Sequence, residues 1–296
     1  MVKIDLITGF LGSGKTTFIK KYAKYLMSKN ENICILENDY GPINVDMELI
    51  TDIGCKCEMV SGGCDRDCHQ RRFKTKLIQM AMDKFDRVIV EPSGIFDPDE
   101  FFDTLYDEPL NNWYEIGNIF CIYDINTKNL SNEAEYILVS EASNASKLIV
   151  SKRKDNEILD LTYINTLMKK YNCNRVFSNS DVLYTDDLDF DLIINSGYKD
   201  YSHIKLQVMD ENNFDSYFVF DKELSLNDIN NIKDKLFKDN TYGKIIRLKG
   251  FIFENNNWIK INITNKECDI SKNSNGQKVI IIIGENLNKE LINTLF

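Results

Sequence analysis

The chain has 296 residues, of which 43% are hydrophobic, and a formal net charge of −10. This length favours two domains, and the acidic excess argues against broad binding to nucleic acid or to anionic membranes, which require Lys and Arg. The chain shows no leader-like segment and no apolar run of the roughly 20 residues that a membrane-spanning helix needs, so a cytoplasmic protein is expected. Its 8 cysteines are then expected to be thiols or metal ligands rather than disulfides.

The first two-thirds of the chain alternates short apolar runs with amphipathic stretches. Strands are predicted at Lys3–Thr8, Ile33–Leu36, Arg87–Val90, Ile119–Tyr123, Leu148–Val150 and Arg175–Phe177. Helices are predicted at Lys15–Ser28, Phe73–Met82, Asp99–Leu105, Asn132–Ser140 and Glu157–Lys170. Short buried strands separated by helices favour an α/β fold, with a mainly parallel sheet and helices on both faces.

The pattern changes after about residue 200, where predicted helices become the minority. Strands are predicted at Tyr217–Phe220, Lys244–Phe253, Trp258–Ile263 and Val279–Ile283, and helices at Leu226–Phe237 and Leu287–Leu295. This favours a smaller α+β domain built on an antiparallel sheet. The Asp-rich stretch Tyr184–Ser202 is the expected boundary, which predicts a first domain at 1–198 and a second at 199–296.

A glycine-rich segment lies between the first predicted strand and the first predicted helix. Its residues Gly9-Phe10-Leu11-Gly12-Ser13-Gly14-Lys15-Thr16 fit the pattern G-x-x-x-x-G-K-[ST]. In this pattern main-chain N–H groups converge on phosphates, and the helix N-terminus adds partial positive charge. Lys15 is expected to reach the β- and γ-phosphates and to act in catalysis, and Thr16 is expected to ligate Mg²⁺. The predicted nucleotide contacts in this segment are Gly12, Ser13, Gly14, Lys15, Thr16 and Thr17.

Two acidic side chains at strand ends are candidates for holding magnesium-bound water or orienting the attacking water. Glu91 ends an apolar strand and is followed by Gly94, which is placed to sense the γ-phosphate. Asp39 lies just past the second predicted strand. Mg²⁺ prefers oxygen ligands, which a carboxylate supplies. Asp39 and Glu91 are therefore predicted to be catalytic by holding metal-bound water or the attacking water, with Glu37 and Asp46 as weaker alternatives. Both could instead be ordinary loop acids.

These segments occur in an order that resembles the CobW-type metallochaperone GTPases, relatives of the urease and hydrogenase maturation GTPases. The resemblance is carried by Gly9–Thr17, by Asn38-Asp39-Tyr40-Gly41 in place of the family's N-E-F-G, and by Glu91, Gly94, Asp97 and Pro98 in its E-x-x-G-x-x-D-P. It implies a GTPase that uses Mg²⁺ and delivers a transition metal, often zinc or cobalt, to a client metalloprotein. It also implies nucleotide-linked homodimerisation.

Four of the cysteines lie close together between the second and third predicted strands. The family's C-x-C-C motif is matched here only by Cys64, which is followed by Cys68 and preceded by Cys55 and Cys57. Four thiolates would complete a tetrahedral zinc site, and His69 could replace one of them. The alternative is a set of buried or incidental thiols. The other four cysteines are expected to be structural: Cys34, Cys121, Cys173 and Cys268.

A redox role for the same thiols also stays open. The neighbouring side chains Arg66, Arg71 and Arg72 would lower the thiol pKa and favour disulfide formation. The same basic run is equally compatible with the solvated start of a helix.

Base recognition departs from the family pattern. The N-K-x-D motif is replaced by Ser151-Lys152-Arg153-Lys154-Asp155, in which Asp155 falls one place late. Lys152 can still stack on a base, so Lys152 and Asp155 are the predicted base contacts. GTP is preferred through the resemblance, and ATP remains open.

Three functions fit the sequence. The first is a GTPase that couples its nucleotide state to transition-metal delivery. The second is a nucleotide-gated assembly factor with structural cysteines and no metal of its own. The third is an ATP-using P-loop enzyme such as a small-molecule kinase, for which no acceptor site is evident in the sequence.

Overall fold

The computed structural model describes residues 1–39, 54–61, 66–94, 98–154, 156–201, 214–265, 267–273, 276 and 278–296. Asp46, Cys64 and Asp155, all named above, lie outside these residues. The chain forms two compact units, Met1–Lys205 and Leu206–Phe296. No described helix is both long and apolar enough to cross a lipid bilayer.

The first unit is built on a seven-stranded sheet. Its strands are β1 Val2–Thr8, β2 Ile33–Asp39, β3 Lys56–Ser61, β4 Arg87–Pro92, β5 Tyr114–Asp124, β6 Lys147–Ser151 and β7 Val182–Tyr184. Its helices are α1 Lys15–Ser28, α2 Arg66–Met82, α3 Pro98–Tyr106, α4 Leu110–Trp113, α5 Asn132–Ser143 and α6 Thr162–Lys170. The strand order is β3-β2-β4-β1-β5-β6-β7, and neighbouring strands pair in parallel throughout. The predicted α/β fold is therefore confirmed.

Helices cover both faces of this sheet, because successive strand residues point to opposite sides. In β1, Leu6 joins the apolar cluster that contains Leu77 of α2 and Leu138 of α5. The next residue, Ile7, joins the opposite cluster, together with Phe18 of α1. Because neighbouring strands pair in parallel, the carboxyl ends of the seven strands lie at one edge of the sheet. Ligands bind at this edge in sheets of this kind.

The opposite edge of the sheet contains a buried ion pair. Arg87 in β4 donates to Asp5 in β1, with Nη1 2.8 Å from Oδ2, and it also donates from Nε to Glu31 at 2.8 Å. Asp5 accepts further hydrogen bonds from the Tyr22 hydroxyl and the Asn118 N–H. Arg87 and Asp5 are fully buried, so this ion pair is part of the core. Both residues lie in strands whose other residues are mostly apolar.

The second unit contains a five-stranded antiparallel sheet. Its strands are β8 Phe214–Phe220, β9 Lys244–Glu254, β10 Asn257–Thr264, β11 Cys268–Asn273 and β12 Val279–Glu285, in the order β11-β10-β9-β12-β8. Helices α7 Leu226–Lys238 and α8 Lys289–Asn293 accompany it. One cluster joins Ile229 and Leu236 of α7 to Ile282 of β12 and Ile292 of α8. This architecture confirms the α+β character expected from the sequence.

Three local predictions were wrong. The segment Arg175–Phe177 is not a strand, and the last strand of the parallel sheet is Val182–Tyr184. Arg175 is buried, where its Nη1 donates to the carbonyl oxygens of Ala142 and Ser143. The helix expected from Glu157 begins only at Thr162, and the strand Lys56–Ser61 was not predicted.

Candidate nucleotide-binding site

The glycine-rich loop connects β1 to α1 at the carboxyl edge of the parallel sheet. Gly9, Gly12 and Gly14 have φ angles of 140°, 75° and 100°, a region that side chains with a Cβ rarely adopt. A Cβ on Gly9 would lie 2.4 Å from the Ile122 carbonyl oxygen. The sequence folds into a tight loop here because glycines stand at these positions, and the N-terminus of α1 opens directly after it.

Lys15 lies over this loop. Its Nζ donates to the Gly9 carbonyl oxygen at 2.6 Å, and its side chain is buried. The Ser13 hydroxyl is also buried and has no hydrogen-bond partner among the described residues. Thr17, in contrast, is exposed at the first turn of α1. An ammonium group and a curled main chain of this kind suit a polyphosphate.

A carboxylate and a hydroxyl meet next to the loop. Thr16 Oγ1 in α1 donates to Glu91 Oε1 at the end of β4, at a distance of 2.9 Å. Glu37 in β2 is the direct strand neighbour of Glu91, and both residues are buried. Two carboxylates beside a hydroxyl are the hard oxygen donors that Mg²⁺ prefers, so these residues fit the ion. Glu37 thus has a stronger claim than the sequence indicated.

The segment after Glu91 packs directly against the phosphate loop. A Cβ on Gly94 would lie 2.7 Å from the main-chain nitrogen of Leu11 and 2.9 Å from its Cα. Only a glycine fits at this distance without displacing the loop. The two segments that the sequence predicts to bind phosphate and sense its γ-group therefore touch each other.

A second link joins the end of β2 to α2. His69 Nε2 lies 2.7 Å from Asn38 Oδ1, and His69 is buried. The Asn38 carbonyl oxygen in turn accepts from the Ser93 N–H at 2.9 Å. Nε2 of His69 therefore links α2 to the end of β2. Asp39 ends β2, and its side chain is outside the described atoms, so its catalytic role stays a prediction.

The base-recognition segment begins at the end of β6. Ser151 Oγ donates to the Ser13 carbonyl oxygen at 2.6 Å, which ties this segment to the phosphate loop. Lys152 has a φ of 60° and its Nζ lies 3.4 Å from Asp124 Oδ2. The role of Lys152 in base recognition stays a prediction. Asp155 lies outside the described residues.

The cysteines are distributed over both faces of the sheet. Cys55 and Cys57 pack against the α1 side, whereas α2, which carries Cys68, packs against the other side through Phe73 and Leu77. Cys57 also lies near the start of β3, while Arg72 of α2 donates to Ser61 at its end.

The predicted four-cysteine site includes Cys64, which lies outside the described residues. Within the described part of the chain, no group of three or more His, Cys, Asp or Glu side chains is arranged to hold a metal ion. The metal site of Cys55, Cys57, Cys64 and Cys68 stays a prediction.

The structure gives a different cause for a lowered cysteine pKa from the one that the sequence suggested. A hydrogen bond from the Cys57 thiol lowers the pKa of Cys55, whereas the sequence had suggested the arginine run. Burial raises the pKa of Cys34, on the neighbouring strand, to about 12. A lowered pKa favours the thiolate form of Cys55, which is the nucleophilic form of a cysteine.

One functional candidate was missed completely. Glu141 in α5 is fully buried, and Thr8 Oγ1 donates to its main-chain oxygen at 2.8 Å, directly before the phosphate loop. The helix was predicted to end at Ser140, whereas it extends to Ser143 and includes Glu141. The available signal was a carboxylate at helical spacing from the buried Leu138 and Ala145.

The parallel sheet, the glycine loop with Lys15, and the Thr16–Glu91 contact define the class of P-loop nucleotide-binding proteins. A sequence model of the CobW/HypB/UreG nucleotide-binding domain matches residues 3–177. Because this match spans more than half of the 296 residues, the chain belongs to the CobW/HypB/UreG family. The predicted family membership is thus confirmed.

The relatives that the chain resembles include two proteins of Escherichia coli K12. It is 32% identical to zinc chaperone YeiR over 138 residues, 45% of this chain and 42% of that protein. It is 25% identical to zinc chaperone YjiA over 160 residues, 51% of this chain and 49% of that protein. The chain thus matches about half the length of these curated relatives. A crystal structure of Zn(II)-bound YjiA GTPase from E. coli aligns with 100% of this chain and 98% of its own, at 18% identity and a TM-score of 0.38.

Proposed function

We propose that the chain binds Mg²⁺–GTP at the β1–α1 loop, hydrolyses it, and uses the nucleotide state to control delivery of zinc or cobalt to a client metalloprotein. The observation that carries the nucleotide part is the contact of Thr16 with Glu91 beside the Lys15 loop. The family match supports GTP, and the zinc chaperones among the relatives support the metal.

The proposed division of labour follows from the placement of the side chains. Lys15 neutralises charge on the β- and γ-phosphates, and Thr16 with Glu91 and Glu37 would hold the magnesium ion or its water shell. The bound ion would supply further stabilisation of charge on the transferring phosphoryl group. Asp39 or Glu91 would orient the attacking water.

The nucleotide part is tested by Lys15→Ala. Loss of the ammonium group should weaken Mg²⁺–GTP binding roughly 10- to 100-fold, as charge-assisted hydrogen bonds to phosphate are lost. The measurement is isothermal titration with GTP and a phosphate-release assay without any added acceptor. Lys24→Ala, on the exposed face of the same helix, is the matched control and should behave as the wild type.

The same titrations with ATP address base preference. GTP should bind more tightly if Lys152 and Asp155 contact the base. Equal affinities would favour relaxed specificity. Phosphate release that depends on an added acceptor would instead favour a small-molecule kinase.

A nucleotide-gated assembly factor without its own metal is the second candidate. It is favoured by the distribution of Cys55, Cys57 and Cys68 over two faces of the sheet. Metal analysis of anaerobically purified protein separates the two. A metal-free sample whose activity survives Cys64→Ser and Cys68→Ser would support the assembly factor, whereas stoichiometric zinc or cobalt lost in these variants would support metal delivery.

A further inference from the structure

A carboxyl group is buried directly behind the phosphate loop. Glu141 lies in the last turn of α5 and is 0% exposed, and neither of its carboxyl oxygens has a hydrogen-bond partner among the described residues. Its main chain is fixed by the 2.8 Å hydrogen bond from Thr8, the residue that precedes Gly9. A buried polar group without a partner is costly to stability, so its retention calls for a functional account.

The groups that face this carboxyl come from three neighbouring elements. From the phosphate loop, the Lys15 ammonium and the Gly9 N–H act on it, and the N–H does so without completing a hydrogen bond. From β5, the Cys121 thiol lies close enough for its own pKa to respond to Glu141. Behind α5, Arg175 donates to the carbonyl oxygens of Ala142 and Ser143. Lys15 is the cation that acts on the carboxyl.

The protonation state of Glu141 follows from this environment. Burial raises its pKa to about 8, and Lys15 and the Gly9 N–H only partly oppose the rise. At neutral pH the group is therefore mostly a neutral carboxylic acid. Above about pH 8 it becomes an anion that attracts Lys15, the side chain that is proposed to bind phosphate.

We propose that Glu141 is a positioning residue of the nucleotide site, which must be uncharged for Lys15 to serve the polyphosphate. This inference rests on the proposed nucleotide binding. An ionised Glu141 would compete with the phosphates for Lys15 and would repel their negative charge. Nucleotide binding therefore keeps the proton on Glu141, or takes one up from solvent when the group is ionised.

The sign of the pH dependence is thereby determined. Below the pKa of the free protein, Glu141 is neutral in both free and bound states, and it adds no pH dependence. Above it, binding must return a proton to the carboxylate, so affinity falls by up to about tenfold for each pH unit until the pKa of the bound state is passed. Near pH 8, binding should take up about half a proton.

The experiment compares GDP binding by the wild type, Glu141→Gln and Glu133→Gln between about pH 6.5 and pH 9.5, a range that brackets the raised carboxyl pKa. GDP without magnesium avoids hydrolysis and metal hydroxide formation. The glutamine of Glu141→Gln has the shape of the neutral acid, so its affinity should not fall with pH beyond the effect of GDP's own ionisation. Glu133→Gln, at the other end of α5, should retain the wild-type profile. Ionisation of GDP itself contributes equally to all three proteins.

Proton uptake by the wild type is a second measurement that needs no variant. The heat of GDP binding near pH 8 is measured in buffers of different ionisation enthalpy. A slope that corresponds to about half a proton supports the inference, and a slope of zero overturns it. Identical pH profiles for the wild type and Glu141→Gln also overturn it. Absence of GDP binding by the wild type at every pH would instead refute the proposed nucleotide site.

Discussion

Single side chains at the carboxyl edge of the parallel sheet determine what the site can bind. Lys15 and Thr16 were expected from the spacing of the phosphate-loop pattern, and Glu91 from its position at the end of an apolar strand. Glu37 was a weaker alternative in the sequence, because its pairing with Glu91 on the neighbouring strand is seen only in the structure. Glu141 was missed because its contact with the loop joins residues more than 120 positions apart, which no local pattern reveals.

The contact between Thr16 and Glu91 leads to a prediction about catalysis. Glu91→Gln keeps the size of the side chain but removes the negative charge that would hold magnesium or its water. GTP hydrolysis should fall roughly 100-fold or more, while GDP binding without magnesium should change little. Phosphate release at a series of magnesium concentrations measures the effect.

The informative comparison is with Lys15→Ala, which should weaken GDP binding as well. If Glu91→Gln hydrolyses GTP at the wild-type rate with the same magnesium requirement, Glu91 has no part in metal binding. Glu37→Gln then becomes the next variant to examine, because that carboxylate is the other one at this edge.

Among the elements, long amphipathic helices and fully buried strands were predicted well, and helix α1 was predicted to the residue. The strand β3 was not predicted, because Lys56-Cys57-Glu58 contains no apolar run. Its cysteine was interpreted as a metal ligand instead. This strand is only partly buried, so its formation depends on pairing with β2. The prediction of a strand at Arg175–Phe177 was wrong because this segment is fixed by a contact that is distant in sequence. The role of Arg175 is a tertiary contact with α5.

The close approach of Gly94 to the phosphate loop yields a steric prediction. In Gly94→Ala the new methyl group would lie within 3 Å of the main chain of Leu11, and the loop must shift to admit it. GTP affinity should fall at least about tenfold, the loss expected when a shift of this size misaligns several hydrogen bonds to phosphate. Gly197→Ala is the control, because nothing lies within 4 Å of its added Cβ.

Gly197 has a φ of 67°, so its alanine variant should lose stability, by about 1 kcal/mol, without losing affinity. This separates a local effect on the loop from general destabilisation. Wild-type GTP affinity in Gly94→Ala would contradict the proposed packing of the two phosphate-contacting segments.

The ion pair at the far edge of the sheet affects stability rather than function. Arg87→Met would leave the fully buried Asp5 without its cation, which should destabilise the first unit by about 3–5 kcal/mol. Lys74→Ala breaks the more exposed pair with Asp107 and should cost under about 1 kcal/mol. Chemical denaturation followed by circular dichroism compares the two, and equal losses would show that burial of the Arg87 pair has no special weight.

The proposed function requires one chain to link GTP to a metal. Asp39 and Gly94 both belong to segments that are predicted to act at the nucleotide, and Cys64 lies between them in sequence. A nucleotide that moves either segment would therefore change the surroundings of this cysteine. If such coupling exists, thermodynamic linkage requires that it act equally in both directions.

The resulting prediction concerns the complete chain. Zinc or cobalt should change GTP affinity, and GTP should change metal affinity, by the same factor, expected to be about 5- to 150-fold. The affinities are measured with a non-hydrolysable GTP analogue, so that only binding is compared. Cys64→Ser should remove the coupling, while Cys268→Ser, an exposed thiol of the second unit, should retain it. Unequal factors would mean that the two ligands are not bound at equilibrium by one protein. Absence of any effect would separate nucleotide turnover from metal handling and would leave the assembly factor as the function that fits the site.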